Sequence, residues 1–172
     1  ERNSPRTPGD NESMQGHSPD AGIDERWAIF TRREVVDFIL DLAGYTEDKR
    51  LHETRLLEPS AGEGDFLLPI ISRLVRAYLS HEGKLEDAGE ALASAIVAVE
   101  VHEVSLDSAR ATVELELRRI GMPERAAQTL ARCWLVPGDF LQLPLAGEFH
   151  FVVGNPPYVR QELIPEELLS KY

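Results

Sequence analysis

Residues 154–162 read GNPPYVRQE, and they follow the apolar run Phe151-Val152-Val153. Neither Pro156 nor Pro157 has an N–H to give to a sheet ladder, so the sequence ends a strand there with a stiff corner. Asn155 offers an amide carbonyl and Pro156 a backbone carbonyl, both acceptors. Tyr158 offers a ring that stacks on a flat partner while its hydroxyl stays wet. Two acceptors side by side suit an NH2 group conjugated to a ring or a carbonyl. The lone pair of such a nitrogen is delocalised. One acceptor for each N–H draws the nitrogen toward tetrahedral geometry and frees the pair to attack an electrophilic carbon, with the developing positive charge stabilised in the transition state. Pro157 keeps the corner rigid. The bland alternative is a strand-terminating turn with an exposed tyrosine.

Three further clusters carry polar chemistry. Glu58-Pro59-Ser60-Ala61-Gly62-Glu63-Gly64 is a tight loop after an apolar pair, and its glycines let the backbone approach a ligand and aim helix N–H groups at it. Position 67 is leucine, so the G-x-G-x-x-G dinucleotide fingerprint is absent, and Glu63 and Asp65 would repel a pyrophosphate. Glu100 closes a second apolar run and suits a ribose diol, which donates two hydrogen bonds to one carboxylate. Asp139, in Gly138-Asp139-Phe140, suits an exocyclic amine such as adenine N6. The alternatives are a glycine turn, a solvated strand end and an ordinary Gly-Asp turn. A ligand with an adenine, a ribose and no phosphate fits all three clusters together. S-adenosyl-L-methionine is such a ligand.

The elements that must position these residues alternate. Thr31-x-x-Glu34 reads as a capping box opening a helix over 32–43, with Gly44 as its stop. Leu56-Leu57-Glu58 reads as a strand, about 65–79 as a helix with Pro69 in its first turn, 81–90 as a polar connection and 95–100 as a second strand. Helices over 103–120 and from Pro123 to about 131 come next, then a strand at Trp134-Leu135-Val136 and a fourth from 149 to 153. Apolar strands alternating with helices predict an α/β fold: a doubly wound, mostly parallel sheet. In such a sheet ligands sit beyond the carboxyl ends of the strands, and all four polar clusters fall at such ends.

The single cysteine, Cys133, excludes an internal disulfide framework and reads as a buried thiol beside Trp134. The histidines at 17, 52, 81, 102 and 150 show no metal-ligand spacing, so no metal is expected. No stretch approaches the length of a membrane span, which points to a cytoplasmic protein with no membrane partner. Residues 1–24 hold prolines, polar residues and acids and read as a flexible leader, leaving 25–172 as the functional segment. A net charge of −12 over 172 residues argues against this segment wrapping nucleic acid by itself. A start at Glu1, and a reactive corner so close to Tyr172, predict part of a longer protein, truncated after the fourth strand.

Taken together and in order, these motifs carry a resemblance. Phe30-Thr31-Arg32-Arg33-Glu34-Val35-Val36, LLEPSAGEGDFLLP at 56–69, Glu100, Gly138-Asp139-Phe140 and GNPPYVRQE resemble the N-terminal part of the class I S-adenosylmethionine-dependent DNA adenine-N6 methyltransferases, closest to those of restriction-modification and phage-defence systems. The resemblance implies a Rossmann-like fold. It implies that Thr31 and the loop from Glu58 through Pro59, Ser60, Ala61 and Gly62 to Gly64 contact the methionine end of the cofactor, Glu100 the ribose, and Asp139 with Phe140 the adenine. Asn155, Pro156 and Tyr158, stiffened by Pro157, would hold a target base flipped out of double-stranded DNA. Restriction or specificity subunits are the implied protein partners. The family often has proline after the threonine, where this chain has Arg32. Its fold continues into further strands and a target-recognition domain, so the segment alone is expected to be inactive.

Two other readings use the same residues. A glutamine-N5 protein or ribosomal-RNA guanine-N2 methyltransferase would apply the corner to another planar nitrogen. An inert scaffold or DNA-tethering piece would use the fold without turnover.

Overall fold

The computed structural model describes residues 32–156. The leader, Thr31, Pro157 and Tyr158 lie outside the described residues.

Four strands form one all-parallel sheet: β1 (Leu56–Glu58), β2 (Ile96–Glu100), β3 (Leu135–Pro137) and β4 (Phe151–Val152), in the order β3-β2-β1-β4. Leu56 pairs with Ile96 on one side and with Phe151 on the other, and Ala98 pairs with Leu135. Five helices connect and cover the strands: α1 (Arg33–Ala43), α2 (Leu67–Ser80), the single turn α3 (Ala88–Ala91), α4 (Glu103–Arg119) and α5 (Glu124–Trp134). The architecture is Rossmann-like α/β, as the alternation of elements predicts.

The helices are where the hydrophobic spacing puts them. In α1, Val36 and Leu40 are fully buried one turn apart, and Gly44 ends the helix in the left-handed region at φ 72°. The Tyr45 N–H then reaches back to the Leu40 carbonyl at 2.9 Å and the Gly44 N–H to Asp41 at 3.0 Å, a Schellman stop. The residue that precedes α1 as its cap is Arg32, which makes no side-chain cap, so the capping box expected from Thr31 lies partly outside the described residues. Arg73 of α2 fastens α1 from the side. Its guanidinium donates to Asp41 Oδ1 (2.6 Å), Asp37 Oδ1 (3.1 Å) and the carbonyls of Tyr45 and Asp37 (both 3.0 Å). α4 and α5 form a hairpin, burying Leu106, Ala109, Val113 and Leu117 with Ala127, Leu130 and Trp134. The Trp134 indole N–H donates to the Leu92 carbonyl at 2.9 Å, which satisfies the one polar atom of that buried ring.

Three expectations are corrected here. Trp134 ends α5 rather than starting β3, because Ala127, Leu130, Ala131 and Trp134 share one helical face that continues the apolar stripe. On that longer helix Cys133 points away from the stripe and is exposed, not buried. The connection at 81–90 also folds back into α3, which begins at the buried Ala88.

Candidate functional site at the carboxyl rim of the sheet

Because the strands are all parallel, Glu58, Glu100, Gly138-Asp139 and Gly154-Asn155 come out on one edge of the sheet. The chain runs outward from β1 through β2 to β3, then returns across the sheet to place β4 on the other side of β1. That reversal between β1 and β4 is a topological switch point, where loops diverge and leave a crevice.

The corner sits on this switch point. The Val153 N–H donates to the Leu57 carbonyl at 3.0 Å, carrying the β1–β4 pairing past Val152. At the next residue a Cβ on Gly154 would stand 3.2 Å from Pro59 Cδ and 3.6 Å from Glu58 Cγ. Glycine at 154 thus lets the start of the corner lie directly against the start of the glycine loop. Asn155 follows, partly buried, and Pro156 is exposed.

The loop itself is braced from β2 and α4. The Ala61 N–H donates to the Val99 carbonyl at 2.9 Å and the Gly62 N–H to Glu100 Oε2 at 2.7 Å. Gly64, at φ 91°, packs on α4 so closely that a Cβ there would meet Ala109 Cα at 3.2 Å. Gly62, at φ 56°, is the opposite case: a Cβ would meet nothing within 4 Å among the described residues. One glycine closes the loop onto protein, and the other faces open space.

Glu100 does more than end a strand. Its other oxygen, Oε1, accepts from the His102 N–H at 2.8 Å, so one carboxylate ties the loops after β1 and β2 together. Each oxygen keeps a second lone pair for a hydroxyl. Next to it, Glu58 is 1% exposed, and its Oε2 has no hydrogen-bond partner among the described residues. Burial, and then the charge of Glu100, push the Glu58 carboxyl well above the usual carboxylate range. The sequence reading treated these two acids separately and missed their pairing. The signal was there: adjacent parallel strands that each end in glutamate.

Asp139 is engaged locally. Oδ1 accepts from the Leu141 N–H (3.0 Å) and Oδ2 from the Gln142 amide (2.6 Å), an Asx-type turn that holds the loop after β3 on the rim. Phe140 is partly buried beside it. Two clefts among the described residues lie elsewhere, one between α1 and α2 around Arg73 and one between α4 and α5 around Arg110. The first is filled by the ion pairs of Arg73 and Arg76, which makes it a structural junction. The rim is therefore assigned from topology and from its donor and acceptor set, not from concavity. No group of three or more potential metal ligands occurs among the described residues. No helix there is long and apolar enough to cross a membrane.

No protein-family model matches the chain. It is 63% identical over 149 residues, 87% of its length, to the type II methyltransferase M.XhoI of Xanthomonas vasicola. It is 57% identical over 156 residues, 89% of its length, to the type II methyltransferase M.PaeR7I of Pseudomonas aeruginosa. A third relative, the type II methyltransferase M.BstVI of Geobacillus stearothermophilus, is 37% identical over 149 residues, 84% of the chain. These matches cover 27%, 26% and 27% of the respective relatives, so the chain spans about a quarter of their length. The chain belongs to the type II methyltransferases and corresponds to one segment of them.

Proposed function

We propose that this chain is the cofactor-binding and catalytic segment of an S-adenosylmethionine-dependent DNA methyltransferase that modifies adenine N6 within a restriction-modification system. The observation that supports the reading is the close approach of Gly154 to Glu58 and Pro59, which brings the chain at Asn155 and Pro156 out beside the start of the glycine loop at the switch point.

The donor set fits the cofactor. The unpartnered Oε2 of Glu58 suits a cationic N–H donor, the free space over Gly62 admits a ligand against the backbone, and the remaining lone pairs of Glu100 suit a ribose diol. Asp139 and Phe140, on the loop after β3, are assigned to the adenine edge and face by resemblance. Thr31, outside the described residues, is assigned to the methionine end by resemblance alone. S-adenosylmethionine, when bound, supplies an electrophilic methyl group on a sulfonium.

The chain's own residues do the rest. The Asn155 amide and the Pro156 carbonyl accept the two N–H bonds of the target amine, which restores nucleophilic character to its lone pair. Tyr158 stacks on the base and Pro157 fixes the corner. The nitrogen becomes cationic as it is methylated and sheds a proton to water, so no strong base is needed at the corner. Adenine is reached by flipping it out of the duplex. The acidic balance of the chain leaves phosphate contacts to the remaining length of a type II enzyme.

The test is transfer of labelled methyl groups by the longer protein that carries this segment. Duplex DNA, a release-factor protein and ribosomal RNA are offered in parallel, and nucleosides are identified after digestion. N6-methyladenine from DNA alone is the expected product. Label in cytosine, in glutamine or in RNA would overturn the assignment.

A further inference from the structure

α1 is apolar on two sides, and the described residues cover only one of them. Val36 and Leu40 are fully buried against the core, and Arg73 of α2 holds the flank that carries Asp37 and Asp41. On a third side Val35, Phe38 and Leu42 are 46%, 60% and 72% exposed. Their spacing, three residues and then four, sets them in one row at the a, d and a positions of a heptad, the seam by which one helix packs along another. Ile39, partly buried at the e position, joins that row to the core. Glu34 and Asp41 border it at the g positions. The exposed apolar residues of the other helices, Leu79, Val104 and Leu115, stand singly, which is ordinary for a protein surface.

The border charges select what covers the seam. A second α1 laid antiparallel would set acid against acid, and laid parallel it would set acid against Ile39; neither brings a cation. Residues 162–172, outside the described residues, carry Glu162, Glu166 and Glu167 against Lys171 alone. The chain spans about a quarter of the length of its type II methyltransferase relatives, so most of such a protein lies beyond it.

We infer that the outer seam of α1 is the docking face for an amphipathic helix from that remaining length, one with a leucine-type apolar row and a basic flank. The inference rests on the family membership and not on the cofactor or the target base. The docked helix runs along α1, seats its apolar row among Val35, Phe38 and Leu42, and sets Lys or Arg against Glu34 and Asp41. Tyr45, the second residue past α1, meets the Phe151 ring edge-on at 5.1 Å, so a helix that steadies α1 also steadies β4, the strand that leads to Asn155.

The experiment uses the longer protein with Cys133→Ser and one new thiol, Phe38→Cys or Leu42→Cys. Both positions lie outside this segment's own core, so neither substitution opens a cavity in it. Labelling by a maleimide is timed in the native protein and again after unfolding in denaturant. Native labelling at least tenfold slower than unfolded labelling is expected at both positions; the full unfolded rate at either one overturns the inference. In a second arm p-benzoylphenylalanine replaces Phe38, is photolysed, and its contact is read by mass spectrometry of the digest. The expected product is a crosslink within one polypeptide to a stretch outside residues 1–172 that carries helix-spaced apolar residues and Lys or Arg. A crosslink to residues 1–31 or 157–172, a crosslink between two polypeptides, a crosslink to an acidic stretch, or no crosslink overturns the occupant. Neither arm reads cofactor binding or methyl transfer, so failure here leaves the proposed function standing.

Discussion

Gly62 and Gly64 lie two residues apart in one loop, both at positive φ, yet the structure gives them opposite consequences on substitution. Alanine at either position incurs a left-handed backbone cost of about 1–2 kcal/mol. At Gly62 that is the whole effect among the described residues, because the new methyl meets none of their atoms within 4 Å. At Gly64 the methyl meets the backbone of Ala109 at 3.2 Å and its Cβ at 3.3 Å, atoms of a packed helix that cannot rotate aside. Overpacking of that kind costs about 1–3 kcal/mol more. Gly64→Ala should therefore be less stable than Gly62→Ala by that margin, several degrees in Tm at about 2–4 °C per kcal/mol for a chain of this size. Ligand binding should rank them the other way relative to stability. Gly62→Ala fills the space assigned to the cofactor and should weaken S-adenosylhomocysteine at least tenfold while its melting temperature falls by less than that of Gly64→Ala. Thermal unfolding and calorimetric binding on both variants decide the matter. Equal destabilisation by the two alanines would refute the packing argument, and unchanged binding by Gly62→Ala would refute the placement of the ligand.

Further outcomes follow from other residues. Asn155→Ala in the longer protein should abolish methyl transfer while leaving S-adenosylhomocysteine affinity within about twofold; retained turnover would remove the amide from the chemistry. Glu58→Gln should change the pH dependence of stability, read from denaturant unfolding between pH 4 and pH 8. Below the ordinary glutamate value of 4.5 both folded and unfolded carboxyls are neutral and Glu58 costs nothing. Above it the unfolded chain ionises and the folded one does not, so the parent loses up to about 1.4 kcal/mol per pH unit until its raised folded value is reached. The glutamine variant lacks this loss and should gain on the parent as pH rises; parallel curves would mean that Glu58 is not held neutral. Cys133, exposed on α5, should react fully with a thiol reagent in the native protein without prior unfolding; protection would return it to the core. Arg73→Met should cost roughly 2–4 kcal/mol, since it removes four hydrogen bonds that join α2 to α1 and the segment after it and leaves Asp37 with only its longer ion pair to Arg33 at 3.7 Å.

The order and type of the elements were legible because the strands are apolar up to their closing residues and the long helices carry apolar stripes. Gly44 and Gly121 end their helices where the sequence places them, both at positive φ. What misled was local: Cys133-Trp134-Leu135-Val136 reads as one apolar run, and only the spacing Ala127, Leu130, Ala131, Trp134 tells that its first half is helix. A run of four cannot choose its own period. Cys133 fell on the wrong side of the surface for that reason. The site was legible in part for a related reason. A parallel sheet collects its carboxyl ends by geometry, so polar residues at four strand ends had to share a rim once the strands were parallel. Their pairing was not legible, because strand order is invisible in an unaligned chain. The order β3-β2-β1-β4 puts β1 in the middle, with β2 on one side and β4 on the other. Glu58 is thereby the residue that touches both neighbours: the Glu100 charge from β2, and the corner from β4 through Gly154. A carboxyl so placed responds to what binds on one side and stands next to the chemistry on the other. Under the proposed function Glu58 lies between the cofactor loop and the Asn155 corner, and Glu58→Gln alters a side chain next to both.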